Sequence, residues 1–175
     1  METIPEISNG EKMEEERLKF CIARFDHYYD SINNKSAVFL GLGTFSLGGL
    51  IASYPYLMDH VNCSKAILGL LLLSSVLALS ALIIVIVVST PYLSKGKKSM
   101  LYFNSIATKG LDIFIEDTKN FNMESGLSDL RLQVHDLATG LRKKFKRLRI
   151  AAILYTLMFV SIIPLVFLIL LNFKN

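Results

Sequence analysis

The chain carries LRKKFKRLR at residues 141–149 and continues without a break into IAAILYTLMFVSIIPLVFLILLNF at residues 150–173. The first stretch holds six Lys/Arg, and the second holds 24 residues with no Asp, Glu, Lys, Arg or His. An uncharged apolar run of that length exceeds the ~20 residues needed to cross a hydrocarbon core of ~30 Å. A dense basic run directly beside it marks the cytoplasmic side of a membrane. Toward the N-terminus, two more windows lack any ionisable residue: residues 36–58 (23 residues) and 66–93 (28 residues). A soluble domain of 175 residues has no core large enough to hide three such segments. The fold class expected is therefore all-α: a multi-pass membrane protein with three transmembrane helices extended into a small cytoplasmic helical bundle. Disorder, a disulfide scaffold and a free cytosolic enzyme are excluded.

The distribution of positive charge orients the spans. Residues 1–35 hold five Lys/Arg, residues 59–65 hold one, residues 94–149 hold twelve, and the tail holds Lys174 alone. Lys/Arg in short loops near the spans set orientation, so the N-terminus and residues 94–149 are expected in the cytoplasm and the other two segments outside. The segments are then 1–35 (cytoplasmic helix), 36–58 (span one), 59–65 (outer loop), 66–93 (span two), 94–149 (cytoplasmic sensor region), 150–173 (span three) and 174–175 (outer tail). Lys95, Lys97 and Lys98 and the basic run at 142–149 would meet anionic lipid headgroups. Membrane lipids are thus an expected partner, and nucleic acid is not. The polar first 35 residues do not form a basic n-region and apolar core, so span one is expected to direct insertion itself. Cys21 and Cys63 fall on opposite sides of span one and cannot pair within one chain.

Span one is marked by small residues. Ala37, Gly41, Thr44, Gly48 and Ala52 share one helix face, and small residues let backbones approach closely in lipid. That face serves packing within a subunit or between subunits. Gly43 and Gly49 lie off it and are expected to add flexibility, and Pro55 to loosen the outer end. Pro91 marks the inner end of span two. Pro164, inside span three, removes a backbone hydrogen bond and is a candidate gating kink. No span carries an ionisable side chain, which argues against a proton relay, a voltage sensor or an ion-coupled transporter.

Outside the spans the apolar residues recur at helical spacing. Leu18, Ile22, Phe25, Tyr29 and Ile32 form one stripe; Phe103, Ile106, Gly110 and Ile113 a second; Leu127, Leu130, Val134, Leu137, Leu141, Phe145 and Leu148 a third. Cytoplasmic helices are expected over about 15–33, 97–119 and 126–149, with breaks at Ser94-Lys95-Gly96 and residues 120–126.

No phosphate-binding glycine loop and no nucleophile elbow occurs. Gly41-Leu42-Gly43 lies inside a span and cannot cradle a phosphate. His27, His60 and His135 are too scattered to imply a metal. An enzyme is not expected, nor a cofactor. Two polar clusters remain. One runs from Arg24 through Asp26, His27 and Tyr28 to Asn34 and Lys35, at the entry to span one. The other is Arg131, Gln133, His135 and Asp136, beside the third stripe. Each is either a solvated or interfacial helix face or part of a ligand pocket, with aromatic rings for a base and Lys35 for a phosphate.

Phe25-Asp26-His27-Tyr28, then Asn33-Asn34-Lys35-Ser36 before a Gly-rich span, resembles the bacterial Pycsar effector family with transmembrane helices. So does Asp129-Leu130-Arg131-Leu132-Gln133-Val134 with the basic run entering span three. The resemblance covers roughly residues 15–172. It implies an anti-phage effector in the bacterial inner membrane, with a cytoplasmic N-terminus and a periplasmic C-terminus. The signal would be a cyclic pyrimidine mononucleotide, cyclic UMP or cyclic CMP, made by a partner nucleotide cyclase, and the response damage to the inner membrane. A homo-oligomer is expected for such a device. The alternatives are an effector gated by a cyclic di- or oligonucleotide in another defence system, and a non-enzymatic accessory subunit of a membrane complex.

Overall fold

The computed structural model describes residues 9–62, 64–91 and 99–174. Cys63 and the expected break at Ser94-Lys95-Gly96, with Lys97 and Lys98, lie outside the described residues. The elements in chain order are α1 (Asn9–His60), α2 (Lys65–Ser89), α3 (Phe103–Ala107), α4 (Leu111–Lys119) and α5 (Met123–Leu171). Three helices, α1, α2 and α5, are long and apolar enough to cross a membrane.

The expected helix over 15–33 and span one are a single element, α1, and the helix over 126–149 and span three are α5. Pro55 lies inside α1 and Pro164 inside α5, and neither ends its helix. In hydrocarbon the alternative to helix is a backbone with no hydrogen-bond partner, so proline is tolerated there. Helix α2 ends at Ser89, where Thr90 turns extended (ψ 141°) ahead of Pro91, as the clash with a following proline ring demands.

The expectation of one helix over 97–119 is corrected: the chain forms two short helices, α3 and α4. Ser99 Oγ accepts from the amides of Leu101 and Tyr102 (3.1 and 2.9 Å), and the Asp129 carboxylate accepts from Met100 N (2.9 Å). Those side chains satisfy the backbone that a helix would otherwise have used. Gly110, expected on a helical stripe, is instead the extended N-cap of α4 (ψ 149°). The start of α5 is sharper than the expected break. Asn122 Oδ1 accepts from Ser125 N (2.9 Å) and Ser125 Oγ accepts from Asn122 N (3.2 Å), a reciprocal cap of the kind that satisfies otherwise orphaned amides.

The described chain forms two compact units, one within residues 1–30 and 92–143 and the other within 31–91 and 144–175. In the first, Leu18 of α1 packs on Leu127 and Leu130 of α5, flanked by Ile22 and Val134. Tyr29 donates from its hydroxyl to Leu137 O (3.0 Å), tying the same two helices further along.

The second unit contains α2 and the apolar parts of α1 and α5. Helix α2 buries Ile67, Leu71, Ser74, Ala78, Ala81, Val85 and Val88. This four-three rhythm is a seven-residue repeat, the geometry of knobs-into-holes packing. One core cluster joins Ala78, Ala81 and Val85 to Ala151, Tyr155 and Met158. A second joins Leu57 and Val61 to Ile67, Leu71 and Leu165. Polar groups reinforce the apolar contacts: Ser74 Oγ and Ser161 Oγ lie 2.8 Å apart. At the far end Val61 bridges to Phe173, and Lys174 Nζ donates to the carbonyls of Met58 and Asp59 (3.3 and 3.1 Å). A cation there suits the negative end of the α1 dipole.

The phase of the third stripe needs one correction. Lys144 is buried and Phe145 is exposed, so the seam passes through 137, 141, 144, 148 and 151 rather than through 145. A lysine can occupy such a position because its four-carbon stem packs as an apolar chain.

Candidate functional site

In the first unit a polar network fixes the segment that precedes α3. Asp129, itself buried on α5, accepts from Ser99 Oγ (3.0 Å) and Met100 N, and Gln133, one turn along, donates from Nε2 to Ser99 Oγ (3.2 Å). Nearby, Lys109 Nζ pairs with Asp117 (2.8 Å) and reaches Met100 Sδ (3.4 Å). These contacts hold residues 99–117 against one another and against α5.

Arg131, a candidate ligand residue by sequence, is engaged in an ion pair. It donates from Nε and Nη2 to the two oxygens of Glu14 at 2.8 and 2.7 Å. Such a fork is the strongest arrangement a carboxylate and a guanidinium can adopt. It binds α1 to α5. The hydrogen bonds from Arg131, and then its charge, hold the Glu14 carboxyl below the usual carboxylate range.

Beside these contacts lies a cleft of about 320 Å³. Glu15 and Lys19 of α1 stand on one wall, and Leu101, Phe121, Leu127 and Leu130 supply the apolar lining. Lys19 Nζ pairs with Glu15 at 2.5 Å. The Phe121 ring rests on Gly126, where a Cβ would come within 3.2 Å of the ring.

The residues singled out from the sequence are distributed as follows. Asp26 and His27 lie on the exposed side of α1. Tyr28 accepts from Arg24 Nε at 3.1 Å, with the guanidinium 5.7 Å from the ring centroid. Phe20, Ala23, Arg24, His27 and Tyr28 line a shallow depression on that one helix face. His135 is 80% exposed and 3.8 Å from Asp136. Arg131 is engaged by Glu14 and Gln133 by Ser99, so neither is turned to the cluster at 26–28. Asn34 and Lys35 are exposed and fall in the other unit. Sequence reasoning missed Asp129, Ser99, Lys19 and Phe121. The only local hint was Asp129, a carboxylate two residues from the hydrophobic seam position 127.

Among the described residues, the small-residue face of span one is turned away from the other helices. Gly41 and Gly48 would carry a Cβ into open space, and Ala37, Thr44 and Ala52 are exposed. The close approach falls instead at Gly43, where a Cβ would stand 2.0 Å from Tyr155 Oη and 2.9 Å from Cζ. The bare Gly43 lets the Tyr155 hydroxyl reach Phe39 O (3.0 Å), with the Phe39 and Tyr155 rings 5.6 Å apart. The flexibility expected of Gly43 is thus replaced by a packing role.

Comparison with known families settles what the arrangement belongs to. The model of PycTM, the Pycsar effector protein domain, matches residues 17–173. The chain belongs to this Pycsar effector family. The match supports a membrane effector of the anti-phage Pycsar system; the family is an effector class, and it implies a link to a cyclic-nucleotide signal and a cyclase. No curated protein and no solved structure matches the chain.

Proposed function

We propose that this effector is activated by a cyclic pyrimidine mononucleotide, cyclic UMP or cyclic CMP, and that activation impairs the inner membrane. The observation that carries the reading, within a family linked to such a signal, is the length of two helices. Helix α1 has 52 residues and α5 has 49, some 75 Å each at 1.5 Å per residue. A bilayer core takes only ~30 Å of that. Each helix therefore has an uncharged part for lipid and a polar part for water, with no break between them. The polar parts, with the basic runs of the cytoplasmic side, receive the signal; the C-terminus is periplasmic.

A ligand shifts an equilibrium only by its differential affinity for the two states. The nucleotide therefore prefers one arrangement of the helices in the 1–30 and 92–143 unit, and the continuous helices pass that preference to the spans. The exposed Gly41, Thr44, Gly48 and Ala52 face supports assembly between copies, since close backbone approach is what small residues offer in lipid. Pro164 is the candidate hinge of span three.

The test is entry of a membrane-impermeant dye into cells expressing the protein together with an active or an inactivated pyrimidine nucleotide cyclase. Dye entry with the active cyclase alone is expected. Equal entry in both strains would end the nucleotide-gated reading.

A further inference from the structure

The cleft of about 320 Å³ bounded by Lys19, Glu15, Leu101 and the Phe121–Leu130 stretch is left open by the contacts described above. Its chemistry is uneven in an informative way. One wall is apolar and carries a single aromatic ring, Phe121, which is 41% exposed. The other wall presents one cation and one carboxylate, Lys19 and Glu15, four residues apart on α1. Their mutual pairing is partly exposed to solvent, with Lys19 at 63%. Exposed pairs of that kind are weak and exchange readily for another partner.

We propose that this cleft is the binding site for a single cyclic mononucleotide, a proposal that rests on the nucleotide-activated reading above. The base lies against Phe121 and the leucines. The one negative charge of the cyclic phosphodiester takes Lys19 from Glu15. The freed Glu15 carboxylate, which would otherwise repel the anion, accepts from the ribose 2′-hydroxyl, a role acidic side chains fill in other nucleotide sites. Volume and charge also select the ligand class. Ligand pockets run from ~300 to ~1,000 Å³, so this cleft is at the small end, sized for one nucleotide. A cyclic dinucleotide has twice the bulk and two phosphates to be met by one lysine.

The site is distinct from the polar cluster at Asp26, His27, Tyr28, Asn34 and Lys35. The distinction gives the experiment its control. Purified full-length protein in lipid nanodiscs is titrated with cyclic UMP, cyclic CMP and cyclic di-GMP by calorimetry. Wild type is expected to bind a cyclic pyrimidine mononucleotide and not cyclic di-GMP. Stacking of a base on an aromatic ring is lost in Phe121→Leu, which is expected to weaken binding by about 10-fold or more, while Phe121→Tyr retains it. Lys19→Gln is expected to weaken binding by a similar factor and Lys35→Gln to leave it unchanged. Helical content by circular dichroism is expected to be the same in all four variants, because Lys19 and Phe121 are surface residues. Wild-type binding that survives both Lys19→Gln and Phe121→Leu would overturn the site and leave the activating ligand intact. Equal binding of cyclic di-GMP would overturn the selection by size. Failure of wild type to bind either mononucleotide would remove the nucleotide-activated reading and the site with it.

Discussion

Replacing Gly43 with alanine probes the tightest approach in the spanning unit. The new Cβ would stand 2.0 Å from Tyr155 Oη, 2.9 Å from Cζ and 3.1 Å from Leu82 Cδ1. No carbon tolerates the first distance, so the tyrosine must move. It is 3% exposed and has nowhere to go without leaving both the Phe39 ring and the Phe39 carbonyl. The interhelical hydrogen bond is worth about 0.6 kcal/mol on average and at most about 1.7 in a bilayer. The aromatic pair adds about 0.5–1.5 kcal/mol, and forcing a methyl into a filled core costs about 1–3 kcal/mol. Alanine returns up to about 1 kcal/mol of helix propensity. The net loss expected is about 1–5 kcal/mol. Reversible unfolding of the protein in mixed micelles measures it, with Tyr155→Phe and the double variant completing a cycle. Tyr155→Phe removes the closest atom, so the two substitutions are expected to couple by about 1 kcal/mol or more. Gly41→Ala and Gly48→Ala, whose Cβ atoms would meet nothing within 4 Å, are the controls and are expected to be neutral to stabilising by up to about 1 kcal/mol. A Gly43→Ala protein as stable as these controls, or strict additivity with Tyr155→Phe, would refute the account of this contact.

Asp129→Ala is expected to free the Ser99–Tyr102 backbone and cost about 1.5–3 kcal/mol, the usual worth of hydrogen bonds to a charged group; faster amide exchange at Met100 and Leu101 reads it out. The Glu14 carboxyl is depressed in the folded protein, so its clamp on Arg131 contributes fully above its ordinary value of 4.5 and is lost as pH falls through the lower folded value. Acid weakening of the α1–α5 contact is therefore expected below about pH 4.5 in wild type and absent in Glu14→Gln, by amide exchange across residues 14–18 and 127–131. Ser74→Ala and Ser161→Ala are each expected to cost about 0.6 kcal/mol in the same micelle assay, the pair less than the sum. Gly48→Leu places bulk where, among the described residues, a Cβ would meet nothing within 4 Å, so membrane insertion is expected to persist while toxicity in cells is lost. Retained toxicity would remove that face from the assembly.

What the sequence made legible follows from which forces are local. Uncharged runs of more than twenty residues announce themselves without any knowledge of neighbours, and the three apolar helices are where hydropathy put them. The stripe from Leu18 to Ile32 likewise turns inward, because spacing alone decides which side of a helix it occupies. The features not legible in the sequence involve a packing phase along one helix or partners remote in the chain. Hydropathy chose Phe145 over Lys144, but the packing phase set by Leu141 and Leu148 buries the lysine stem. The helix expected over 97–119 gives way because Asp129, thirty residues from Ser99, supplies hydrogen bonds that compete with helix. The partner of Arg131, Glu14, is 117 positions away, so their pairing could not be read from either neighbourhood. Gly43 looked like slack beside a small-residue face until Tyr155 of another helix filled the space.

The central claim is that a cyclic pyrimidine mononucleotide opens the bilayer through this chain alone. Its most direct test is release of an encapsulated dye from liposomes of bacterial phospholipid reconstituted with the purified protein. The account predicts release on addition of cyclic UMP or cyclic CMP, none without nucleotide, and little with Lys19→Gln. Release of the same rate and extent with and without either nucleotide would contradict it.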